Sequence, residues 1–143
     1  MKTIVVLVVS IVLVSIFFCP LAMAAPPLPN DVQMVEPDPT LPKEMADFWG
    51  KWEGNSPYGR IFLIVEKIDK EKASLYEWRA GDGRIPESWL RNEAKVTKEY
   101  GKYIVWFRGS IGEMGSRNFE YTLKGKTLEC SYGTGSYKLT RVP

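Results

Sequence analysis

Histidine is absent from the 143 residues of this chain. That absence removes Ser-His-Asp and Cys-His nucleophilic sites, and most zinc and copper sites, in one step. Cysteine is nearly absent, with Cys19 and Cys130 the only two. Cys19 falls in an N-terminal segment expected to be removed, so Cys130 stands alone in the mature chain and no intrachain disulfide forms. Neither sign of charge dominates: 19 basic residues face 17 acidic ones, and loss of Lys2 leaves the remainder close to neutral. A nucleic-acid binder needs a clustered basic face, which is missing. Glu53, Glu77, Asp82 and Glu113 have no spacing that forces two carboxylates together, and solvated surface is the expectation for each. Gly81-Asp82-Gly83 offers one acid among glycines, too few ligands for a calcium loop. A non-catalytic protein with no cofactor and no metal is the expectation.

What is present divides the chain in three. Residues 1–24 have the form of a secretory signal: Lys2 at the start, an apolar run from Ile4 to Phe18, and a small-x-small cleavage site at Ala22-Met23-Ala24. The run is short for a membrane span and Pro20 follows it. Phe17 and Phe18 crowd Cys19, which disfavours lipid attachment there. A secreted or periplasmic protein, with no stable membrane span after cleavage, is expected.

Residues 25–42 carry six of the ten prolines. Such a stretch favours extended polyproline II and reads as a spacer. Thr40-Leu41-Pro42-Lys43-Glu44 then resembles a helix start, with Thr40 as N-cap and Pro42 in the first turn.

Residues 43–143 form the barrel domain: Glu44 to Phe48 continues the helix for one or two turns, and from Gly50 onward the period is two. Strand-like runs are Gly50 to Gly54, Arg60 to Ile68, Ala73 to Arg79, Trp89 to Thr97, Lys102 to Arg108, Arg117 to Leu123, Thr127 to Tyr132 and Ser136 to Val142. Eight short strands joined by short loops predict an all-β, antiparallel, up-and-down barrel, closed because closure removes edges. The last three strands alternate most clearly and turn Phe119, Tyr121, Leu123, Leu128, Cys130, Tyr132, Tyr137 and Leu139 inward. Ile61 to Val65 and Tyr103 to Phe107 are apolar on both faces, so a second layer, the proline arm or another subunit, is expected over the outer residues.

Loops alternate between the two ends of a meander. Those after the second, fourth and sixth strands are tight and charged. The other end collects longer, glycine-rich loops carrying Tyr58, Arg84, Trp89 and Met114, and function favours such loops. The same counting joins the first and last strands at the closed end, where Trp52 meets Arg141 beneath the short helix. A guanidinium over an indole face contributes roughly 0.5–2 kcal/mol.

Gly50-x-Trp52, the short helix before it and Arg141 on the last strand resemble the signature of the calycins, the group of lipocalins, avidins and related small secreted barrels. The resemblance spans Leu41 to Val142 and implies a tryptophan at the closed base under a basic side chain. The chain departs from lipocalins in lacking a Thr-Asp-Tyr triplet and a disulfide. It departs from avidins in following the motif with Glu53-Gly54-Asn55-Ser56.

Two functions remain open. One is a ligand-binding module in which a small hydrophobic or amphipathic molecule enters at the mouth and stacks on Tyr76, Trp78, Tyr121, Tyr132 and Tyr137, with Arg108 or Arg117 near the rim. The other is a protein–protein module of the envelope, with a packed interior and Tyr58, Arg84, Trp89 and Met114 inserted into a partner. Small periplasmic barrels that inhibit hydrolases such as lysozyme resemble this chain in size and strand count.

Overall fold

A computed structural model describes residues 26–80, 87–110, 115–133 and 135–143. After a one-turn helix, α1 (Lys43–Ala46), come eight strands: β1 (Gly50–Ser56), β2 (Gly59–Ile68), β3 (Lys72–Arg79), β4 (Ser88–Glu99), β5 (Lys102–Ser110), β6 (Ser116–Lys124), β7 (Thr127–Tyr132) and β8 (Gly135–Val142). Each pairs antiparallel with its sequence neighbour, and β1 pairs with β8, so the sheet closes into an up-and-down barrel. No helix among the described residues is long and apolar enough to cross a membrane.

Alternation along the strands fills the interior. Trp52, Leu63, Val65, Leu75, Val105, Phe119, Tyr121, Leu128, Cys130 and Leu139 are each at most 1% exposed. The last three strands take the expected register: Tyr121 lies opposite Cys130, which lies opposite Tyr137. The β1–β2 connection is shorter than its Asn-Ser-Pro-Tyr-Gly sequence suggests. Asn55 and Ser56 remain in the ladder, opposite Arg60 and Gly59, leaving only Pro57 and Tyr58 to turn.

Closure depends on the floor. Trp52 and Arg141 are register partners across β1 and β8. The guanidinium carbon lies 4.4 Å from the Trp52 ring centre. Arg141 Nη1 donates to the Trp49 carbonyl at 2.7 Å, and Nη2 donates to the Asp47 carbonyl. Trp52 Nε1–H donates to the Phe48 carbonyl at 2.9 Å. One indole and one guanidinium thereby satisfy three carbonyls where the helix enters the barrel, groups that burial would otherwise penalise. Gly50 makes room for this: its φ is +124°, and a Cβ there would lie 2.6 Å from Arg141 Nη1.

The helix start differs from expectation. Pro42 is the N-cap, with no side-chain cap. Thr40 instead closes a turn on Asp38, its backbone N–H and its hydroxyl both donating to Oδ1 at 2.7 Å. An Asx turn takes the hydroxyl that would have capped the helix.

The proline arm is not a free spacer. A β-bulge in β2 breaks register between Val65 and Lys67 and turns Glu66 to the outer wall. There the Glu66 carboxylate accepts from the Gln33 N–H, the Ser74 hydroxyl and the Arg91 guanidinium at 2.9–3.1 Å. The Glu66 carbonyl accepts from the Val35 N–H and the Trp49 indole. Arg91 also holds Asp31, and Val32 packs on an outer apolar cluster of Phe62, Ile64 and Trp78, flanked by Tyr76 and Trp89. The two-sided apolar pattern of β2 thus finds its second layer in the arm.

Candidate binding site in the barrel interior

On β3, Leu75, Glu77 and Arg79 share the inner face, opposite Val65, Leu63 and Ile61. Two residues apart on one strand, Glu77 and Arg79 point the same way and meet. Arg79 Nε donates to Glu77 Oε1 at 2.7 Å and Nη2 donates to Oε2 at 3.1 Å, a bidentate pair. The Glu77 side chain is 1% exposed and that of Arg79 17%. Burial pulls the Arg79 pKa down, but the Glu77 charge and its hydrogen bonds outweigh that, so the guanidinium is held above its ordinary value. A bidentate partner is what permits two charges inside a low-dielectric barrel.

Aromatic rings surround the pair. Arg79 Cζ lies 5.0 Å from the Phe119 ring centre. Phe119 stacks on Phe107 at 5.1 Å with 12° between planes, and on Tyr132 at 5.8 Å with 26°. Tyr132 continues to Tyr137 at 5.9 Å and to Tyr58, in the β1–β2 turn, at 6.2 Å. Below them the Tyr121 and Tyr137 hydroxyls stand 3.4 Å apart. Burial, with the Glu77 charge adding to it, pushes both phenols well above their ordinary pKa. Burial likewise pushes the Cys130 thiol up to about 12. These groups stay protonated near neutrality, which leaves hydrogen-bonding hydroxyls and an inert thiol.

Of the residues expected to line the interior, Tyr121, Tyr132 and Tyr137 do so. Tyr76 and Trp78 do not. They lie on the outer face of β3, opposite Ile64 and Phe62, and Tyr76 reaches Asp31 of the arm at 3.4 Å. Arg108 follows the inward Phe107 and is exposed on the outer face of β5. Arg117 reaches the β7–β8 turn, where a Cβ on Gly133 would lie 2.6 Å from its Nη1. Of the rim residues, Tyr58 packs inward on Tyr132, and Trp89 packs on Phe62 and Tyr76 outside the barrel. Arg84 and Met114 lie outside the described residues, as do Asp82 and Glu113.

Glu77, expected on the solvated surface, is instead buried against Arg79, its ionic partner on the same strand face; neither that pair nor the ring of Phe107 was anticipated. Opposite charges two apart in a strand are the signal that would have found the pair, since they share a face and neutralise each other. Gly50, Trp52 and Arg141 form the floor as expected. Beside them an open groove of about 460 Å³ runs between α1 and the β6–β7 turn, lined by Lys43, Asp47, Trp49, Lys126 and Arg141 among others.

A closed eight-stranded antiparallel barrel, floored by the first and last strands behind a short helix, is consistent with a calycin-like fold. Comparison with known proteins finds no matching family model, no matching curated protein and no matching solved structure.

Proposed function

We propose that this is a non-catalytic, lipocalin-like binding module that holds a small hydrophobic or amphipathic molecule in the half of the barrel away from the floor. The observation that carries this reading is the stack of Phe107, Phe119, Tyr132 and Tyr137 beside a buried, neutralised Glu77–Arg79 pair. Binding sites combine an apolar, aromatic lining with a few convergent polar groups, and this combination sits at the end from which the loops open. A pure packing core has no need of two ionised groups, which apolar residues of like volume replace at little cost.

The alternative, a partner-inserting module, draws less support. Tyr58 and Trp89, two of its four proposed anchors, are engaged in packing against Tyr132 and Phe62. The leader at residues 1–24 supports a secreted or periplasmic location. Native mass spectrometry of protein purified from its own host tests the reading. A co-purifying small molecule that Arg79→Ala loses supports it. A clean apo mass together with a captured envelope protein favours the partner instead.

A further inference from the structure

The lysines are scattered along the sequence, and the fold gathers them. Between residues 43 and 143, every lysine except Lys95 and Lys138 lies in α1, in a floor-end turn, or within two residues of a strand's floor end. In a meander alternate turns meet at one end, and the β2–β3, β4–β5 and β6–β7 turns are the ones that carry lysine. Arg141 joins them from β8, and the acids placed likewise are Glu44, Asp47, Asp69, Glu71 and Glu99. Lys43 pairs with Asp47, and Lys124 with Glu129. Lys98, Lys102 and Lys126 form no ion pair among the described residues. This end is therefore cationic.

Tyr100 stands among those unpaired lysines. Its side chain is wholly exposed, and its φ of +48° is the only positive value at a described residue other than glycine. Glu99 and Lys102 are register partners, so Tyr100 and Gly101 alone make the β4–β5 turn, with φ at Gly101 also positive. Two-residue turns of that form ordinarily take Asn, Asp or Gly. A bulky side chain there strains the backbone, and no packing within the protein offsets the strain, since the ring stays in water. Gly101 and Lys102 share a groove of about 230 Å³ with Leu123 and Gly125 at the β6–β7 turn. Beyond that turn lies the groove that holds Lys126 and Arg141. The ring and the lysines thus belong to one surface.

We propose that the floor end docks on an anionic bilayer surface, with Tyr100 in the headgroup layer and Lys98, Lys102 and Lys126 against the anionic headgroups. This docking does not depend on a ligand in the barrel. A tyrosine ring settles at headgroup level, lysine stems lie along apolar surface with their charges outward, and an anionic leaflet attracts cations held close to it. A soluble polyanion satisfies the lysines and leaves the strained ring in water; a headgroup layer takes both. Docked in this way, the barrel turns its mouth away from the bilayer.

The test uses protein purified from its own host, sedimented with vesicles of phosphatidylcholine alone or with an equal share of phosphatidylglycerol. Binding about tenfold tighter to the anionic vesicles is expected at about 0.15 M salt, and most of it is lost at about 1 M, where the Debye length falls from roughly 8 to 3 Å. Tyr100→Gly separates docking from folding. Glycine relieves the positive φ, so the urea midpoint holds or rises, while affinity for the anionic vesicles falls about fivefold. Lys102→Glu with Lys126→Glu removes the preference for phosphatidylglycerol. Equal binding to the two vesicles, or binding to neither, overturns the proposal. So does an affinity that Tyr100→Gly leaves unchanged. Capture by soluble polyglutamate without capture by vesicles also rejects the bilayer and assigns the lysines to an acidic protein instead.

Discussion

At the scale of single residues, the interior is held by groups whose protonation is fixed by burial. Glu77→Gln removes the charge that neutralises Arg79 and leaves a guanidinium largely out of water. A cost of about 3 kcal/mol is expected, because breaking one side of a buried pair exceeds the net worth of the pair. The double change Glu77→Leu with Arg79→Met recovers most of that loss, and urea unfolding of the two variants checks the contrast. The thiol and phenols add a pH dependence of definite sign. Cys130 is raised to about 12, and Tyr121 and Tyr137 well above 10. The unfolded chain therefore gives up these protons at lower pH than the native barrel does. The stability that protonated groups contribute is intact below about pH 9 and declines as pH rises towards the folded values. Unfolding midpoints measured from pH 7 to 11 fall above pH 9, and Cys130→Ala flattens part of the fall. Below pH 9 the native thiol does not react with iodoacetamide until the protein is unfolded.

Among elements, the arm and β3 show what alternation in sequence conveys and what it conceals. The inward faces of β6, β7 and β8 were legible because apolar and polar residues alternate strictly there. In β3 the same rule points the wrong way. Tyr76 and Trp78 are the apolar members of Tyr76-Glu77-Trp78-Arg79, yet they face outward while the charged pair faces in. Two circumstances outside the strand invert the rule: the ion pair neutralises itself, and a distant segment covers the aromatics. Neither a salt bridge nor an arm thirty to sixty residues away is visible in a period-two pattern. Hence a deletion of residues 26–36 is expected to do more than trim a linker. It bares Phe62, Ile64 and Trp78 and strips the Gln33 N–H from the buried Glu66 carboxylate. Loss on the order of 2–4 kcal/mol is expected from the apolar surface and the weakened carboxylate site together. Tryptophan emission shifts to the red as Trp78 and Trp89 meet water. Asp31→Ala alone has little effect on stability, because its pair with Arg91 is solvent-exposed at both ends.

For the molecule as a whole, closure is the decisive event, and it joins residues about ninety positions apart. The floor was legible because a tryptophan near the front and an arginine near the tail fall at the same end once eight strands are counted. Which residues fill the other end was less legible, because that depends on how each wall is covered. Arg141 bonds two carbonyls and lies on the Trp52 face, all at the seam between β1 and β8. Arg141→Ala is expected to cost about 1–2 kcal/mol, the cation–π contact and two charge-assisted bonds being discounted for the exposure of the guanidinium. Gly50→Ala strikes the same seam from the other strand, through a strained backbone and a Cβ 2.6 Å from Nη1. Because both changes act on one contact, their combined cost is less than the sum, and a double-mutant cycle by urea unfolding measures the shortfall. Additive costs separate the two sides of the seam and reject a shared floor. The seam also forms late by chain logic, since a contact this distant repays its loop-closure entropy only after the hairpins exist. Arg141→Ala therefore speeds unfolding more than it slows folding, and the two arms of a chevron plot read that division directly.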